Sequence, residues 1–143
     1  SNFNKNDIVS IHQECSRNLH RDISALKKKN VSVGCALSPA TSLESLEYLL
    51  DDLDVVVLMT VNPGYKGQDL VPQMLRKINQ LRNIIDKRNL NTKISVDGSV
   101  NNKSIKSMLS NGADILVLGS SGLFIDGSDL NNSYESIIKL INE

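Results

Sequence analysis

At 143 residues and 40% apolar content, the chain is long enough for one domain, residues 1–143, with a substantial core. Sixteen basic residues balance sixteen acidic ones, so no global field favours nucleic acid or an anionic membrane, and any bound anion must be held locally. The absence of tryptophan argues against an aromatic nucleic-acid platform, Cys15 and Cys35 are too few for a disulfide framework, and no apolar stretch approaches a membrane span. Residues 1–7 do not resemble a signal peptide, so the expectation is a cytoplasmic protein with free thiols and no nucleic-acid or membrane partner.

The chain then alternates between two periodicities. Apolar runs at Ile8 to His12, Val31 to Leu37, Val55 to Val61, Lys93 to Val96 and Ile115 to Leu118 predict strands. Between them, Leu19, Ile23 and Leu26 recur at helical spacing, as do Leu43, Leu46, Leu49 and Leu50 after the possible cap Thr41-Ser42. Met74, Leu75, Ile78, Leu81, Ile84 and Ile85 predict the longest helix, with Pro72 in its first turn. Ile105, Met108 and Leu109 predict another, stopped by Asn111-Gly112, and Tyr134, Ile137, Ile138 and Ile141 a closing one.

Strands alternating with helices give a parallel sheet, either doubly wound or a (β/α) barrel. No G-x-G-x-x-G follows the first strand and no P-loop is present, which removes the common nucleotide-binding versions. Polar residues gather where the strands end: His12 and Glu14, Ser38, Thr60 and Asn62, Asp97 and Ser99, and Gly119 to Ser121. A barrel builds its active site there, and an open sheet also gathers ligands at that edge.

The apolar run ending at Met59 delivers Thr60-Val61-Asn62-Pro63-Gly64-Tyr65-Lys66-Gly67-Gln68, a glycine-containing loop. Taken singly, His12 is a residue closing the core or else a metal ligand or acid–base group, and Asp97 is a turn former or else a catalytic carboxylate. Gly98-Ser99 and Gly119-Ser120 present backbone N–H groups suited to an anion, although such turns are ordinary in α/β proteins.

Four ordered segments, Ala36-Leu37-Ser38-Pro39-Ala40-Thr41, Met59 to Gln68, Val96-Asp97-Gly98-Ser99-Val100-Asn101 and Gly112 to Ser120, together resemble the ribulose-phosphate 3-epimerase family, which includes the similar allulose-6-phosphate 3-epimerases. The resemblance implies a TIM (β/α)8 barrel of the ribulose-phosphate-binding type, present here as about strands 4 to 8. It implies an isomerase that epimerises carbon 3 of a ketose phosphate through an enediolate stabilised by a divalent metal: zinc first, with iron, manganese, cobalt or magnesium as alternatives. By resemblance His12 and Asp97 are metal ligands, and Asp97 also exchanges the proton. Met59 is an apolar wall, Asn62, Gly64 and Gly67 belong to a mobile cover, and Gly98, Ser99, Gly119 and Ser120 form a phosphate cradle.

The departures shape the expectation. The family's first three strands have no counterpart, and with them go further metal ligands and the second proton-transfer aspartate. The 143 residues alone are therefore expected to be inactive, and two open sheet edges to promote association. A homo-oligomer is expected at full length. Leu19-His20-Arg21 resembles the ribulose 5-phosphate enzymes, whereas Asp97-Gly98-Ser99 and Gly119 to Phe124 are closer to the allulose 6-phosphate group. D-ribulose 5-phosphate is the favoured substrate. The alternatives are D-allulose 6-phosphate, a non-catalytic phosphosugar-binding remnant, and an unrelated phosphate-binding barrel.

Overall fold

The computed structural model describes residues 3–142. Its centre is one parallel sheet of five strands: β1 (Ile8–His12), β2 (Ser32–Leu37), β3 (Val55–Met59), β4 (Lys93–Asp97) and β5 (Ile115–Val117). They lie side by side in chain order. A doubly wound sheet reverses its order at a switch point, and this one does not. Adding each strand beside its predecessor is the winding of a (β/α) barrel.

Register and the alternation of side chains sort the strand residues into two faces. Ile11, Cys35, Val56 and Ile94 fall in one row, followed by Leu37, Leu58 and Val96 in the next. Cys35, Leu37, Val56, Leu58, Ile94 and Val96 are fully buried and share a core with Ile23 of α1 (Leu19–Lys27), Met74, Ile78, Leu81 and Ile85 of α2 (Gln73–Lys87), Ile105 and Met108 of α3 (Ile105–Ser110), and Ile137 of α4 (Leu130–Asn142). The spacing of the α2 residues places them on one side of the helix, which is why that side lies on the sheet. The row on the opposite face carries His12, Ala36, Val57, Ser95 and Ile115, with Met59, Asp97 and Val117 one step nearer the strand ends.

The expected helix through Leu43, Leu46, Leu49 and Leu50 is not α-helical. It forms two 3₁₀ turns, Leu43–Leu46 and Leu50–Asp52, with amides bonding three residues back. The cap is nevertheless formed, because the Ser42 hydroxyl accepts from the Glu44 amide. Two carbonyls of the segment also accept from distant side chains: Glu47 O from Arg88 Nη1 at 2.9 Å, and Leu50 O, which takes the Leu53 amide at 3.2 Å, from Thr92 Oγ1 at 3.4 Å. Strand limits differ from expectation by one or two residues, with β3 stopping at Met59 and β4 reaching Asp97.

Among the described residues β1 and β5 each pair on one side only. Ile8 and Val117 lie open there, 54% and 41% exposed, and Tyr134, Ile138 and Ile141 of α4 are also exposed.

Candidate active site

Asp97 ends β4 and is followed by two residues in the left-handed region, Gly98 at φ +115° and Ser99 at φ +51°. Glycine adopts this conformation freely, whereas serine does so at a cost of about 1 kcal/mol. Gly98 has a second reason: a Cβ there would sit 2.5 Å from Val61 Cγ2. Several donors hold the turn. The Thr60 amide donates to Asp97 O at 2.8 Å, and the Thr60 hydroxyl reaches Asp97 O at 3.1 Å and also Gly98 O. Asn101 Nδ2 and Ser104 Oγ donate to Ser99 O at 3.0 and 2.7 Å.

Beside this turn, residues 61–70 form a loop whose neck is closed by the Val71 amide donating to Thr60 O at 2.9 Å. Gln68 Nε2 braces it from inside through Asn62 O and Tyr65 O. Gly64 and Gly67 have positive φ with open space where a Cβ would point, so their role is conformational. Loop and turn enclose a cavity of about 310 Å³ lined by Met59, Asn62, Gly64, Gly67, Asp97, Gly98, Ser99, Gly119 and Ser120, and further by Tyr65, Lys66 and Ser121. Burial pushes the Asp97 carboxyl above the usual carboxylate range, while His12 pulls it the other way. A raised carboxylate is a stronger base when it ionises.

His12 does not line this cavity. It lies on the same face of the sheet but three strands from Asp97 and in the row below it. Its Nδ1 faces Glu14 Oε2 at 3.3 Å. Glu14 Oε1 in turn accepts from the Ser38 amide at 2.8 Å and from the Thr41 hydroxyl. Burial acts to raise the Glu14 carboxyl, but the bonds from Thr41, the Ser38 amide, its own amide and His12 together hold it down at about 2. From the other side the buried Lys77 of α2 donates to Ser38 O at 3.0 Å, Pro39 O at 3.3 Å and Thr41 O. The segment after β2 is thus gripped between a carboxylate and an ammonium. Lys77 was legible as a lysine between Met74 and Ile78 on the apolar side of α2; its carbonyl partners were not.

An imidazole and a carboxylate are donors that a divalent cation accepts. They are two of at least four, and among the described residues no group of three His, Cys, Asp or Glu converges. His12 and Asp97 do not make a metal centre by themselves.

A parallel sheet wound in barrel order, with its cavity at the carboxyl ends of β3, β4 and β5, defines a protein of the (β/α)-barrel class. Residues 2–124 match the family model described as the ribulose-phosphate 3 epimerase family, and the chain belongs to that family. It is 39% identical over 137 residues to the ribulose-phosphate 3-epimerase of Buchnera aphidicola subsp. Baizongia pistaciae (strain Bp), covering 95% of this chain and 60% of that protein. It is 40% identical over 115 residues to the Bacillus subtilis (strain 168) protein of the same name, covering 80% of this chain and 53% of that protein. For the Escherichia coli (strain K12) protein of that name the figures are 38% over 113 residues, 79% and 50%. The chain spans between half and three fifths of the length of these curated relatives.

Proposed function

We propose that this chain supplies the phosphate cradle and one proton-transfer group of a ketose-phosphate 3-epimerase interconverting D-ribulose 5-phosphate and D-xylulose 5-phosphate. The observation that carries this reading is the single cavity in which Asp97 faces Met59 and the glycine-containing turns. In it the backbone N–H groups around Gly98, Ser99, Gly119 and Ser120 receive the phosphate and Met59 presents an apolar wall to the carbon skeleton. Asp97 removes the proton from carbon 3. Its partial burial favours the protonated form, so the abstracted proton stays on the Asp97 carboxyl while a second acid delivers a proton to the opposite face. The loop 61–70 excludes water from the enediolate.

Inversion needs a second acid on the opposite face of carbon 3. Asp97 is the sole carboxylate among the cavity-lining residues. The second acid and further metal ligands must therefore come from outside the cavity lining, and the 143 residues alone will not epimerise. His12 and Asp97 would supply part of the shell of a divalent cation, zinc first, which would lend positive charge to the developing oxyanion. The competing reading is a phosphosugar-binding remnant without catalysis, favoured by the two-donor metal set.

The test is intact mass, metal content and epimerase activity of the protein purified from its native source. One divalent cation per chain with conversion of D-ribulose 5-phosphate to D-xylulose 5-phosphate is expected. A metal-free protein of 15.7 kDa that binds phosphate without turnover would establish the remnant instead.

A further inference from the structure

Thr60 is fully buried, yet it is polar and stands where an apolar strand has just ended. All its hydrogen-bonding groups are committed, and to two different parts of the site. Its carbonyl accepts from the Val71 amide and closes the neck of the loop 61–70, while its amide and hydroxyl bind the Asp97 and Gly98 carbonyls. The next residue, Val61, lies over Gly98, with its backbone nitrogen 3.0 Å from where a Cβ would stand. The loop touches itself through Gln68, and Gly64 and Gly67 face open space, so the loop is braced as a unit and hung from Thr60 and Val71.

We propose that Thr60 is a positioning residue that couples the covering loop to the turn carrying Asp97, so that movement of one displaces the other. The proposal rests on the functional reading of the cavity and deepens it: loop closure over a phosphorylated ligand would set the direction of the Asp97 carboxylate. Thr60 itself touches no reacting atom. A merely structural threonine would support one side only, whereas the coupling makes a perturbation on either side felt on the other.

Amide hydrogen exchange on the chain, combined with titration by inorganic phosphate, tests this. Thr60→Val preserves shape and removes the hydroxyl; exchange at Val71, in the loop neck, and at residue 60, on the Asp97 carbonyl, should both accelerate about tenfold. Phosphate affinity should fall by about the same factor. Thr60→Ser should restore both amides to within about threefold of wild type. Gly98→Ala enters from the other side, and its methyl against Val61 should likewise accelerate Val71. Unchanged exchange in Thr60→Val, acceleration of only one of its two amides, failure of serine to rescue, or an unmoved Val71 in Gly98→Ala would overturn the coupling. Should Thr60→Val fail to fold, Thr60→Ser and Gly98→Ala decide the matter. If wild type binds no inorganic phosphate the cradle reading fails, while the exchange measurements still decide the role of Thr60.

Discussion

Replacing Glu14 by glutamine tests the network below the site, because glutamine keeps an acceptor for the Ser38 amide and the Thr41 hydroxyl but loses the charge. The carboxyl falls from its ordinary 4.5 to about 2, which at 1.36 kcal/mol per pH unit corresponds to roughly 3 kcal/mol. A third of the side chain, 34%, faces solvent, so screening reduces this to about 1.5 kcal/mol. The folded-state value lies below the unfolded one, so this stability is fully present above pH 4.5 and is lost as the pH falls from there towards 2. Urea unfolding of both proteins, followed by far-ultraviolet circular dichroism at pH 7 and at pH 3, measures the difference free of the other carboxylates common to both. Wild type should exceed Glu14→Gln by about 1.5 kcal/mol at pH 7, and the gap should shrink to about 0.6 kcal/mol at pH 3. A gap of equal size at both pH values, or no gap at pH 7, would refute the electrostatic account.

Four other outcomes follow from the same geometry. Lys77→Met should destabilise the fold by about 2–3 kcal/mol in chemical denaturation, since the carbonyls of Ser38, Pro39 and Thr41 lose their shared charged donor in a buried place. Asp97→Asn should abolish epimerisation by the native protein yet stabilise the fold at neutral pH; because the folded-state pKa of Asp97 is raised, its penalty grows as pH rises through and above the ordinary carboxylate range, and a loss of stability at pH 7 would contradict this. Gly122→Ala should cost about 1–3 kcal/mol in thermal or urea unfolding, because the new methyl would meet the Val100 carbonyl at 2.3 Å and backbone does not easily yield. Sedimentation of the chain should show concentration-dependent association through the open edges of β1 and β5, and a clean monomer at high concentration would speak against it.

The strands were legible because Val33 to Leu37, Val55 to Leu58 and Ile94 to Val96 sit between two covered or partly covered faces, which writes an unbroken apolar run into the sequence. The segment after Ser42 was misread for a reason the leucine spacing cannot carry. In the structure it winds as 3₁₀ turns whose carbonyls also accept from Arg88 and Thr92, about forty residues away, and leucine spacing carries no trace of those partners. At the site, the residues around Asp97 came together because glycines and short polar residues at strand ends announce themselves locally. His12 did not join that cavity, since a residue at a strand end reveals its height along the sheet only once the register is known. Ser99 was legible as part of Asp97-Gly98-Ser99, but not its left-handed backbone, a conformation that glycine takes without strain.

The strand order has a consequence for how the chain folds. Because β2 to β5 each pair with the strand before them, each of these β/α units finds its partner edge already made, and among the described strands no pairing waits on a distant segment. Among the described strands the sheet grows at one side, each new strand adding to the edge its predecessor left. Assembly in that order is vectorial, and a ribosome stalled between units leaves a shorter sheet of the same kind rather than an unpaired set of strands.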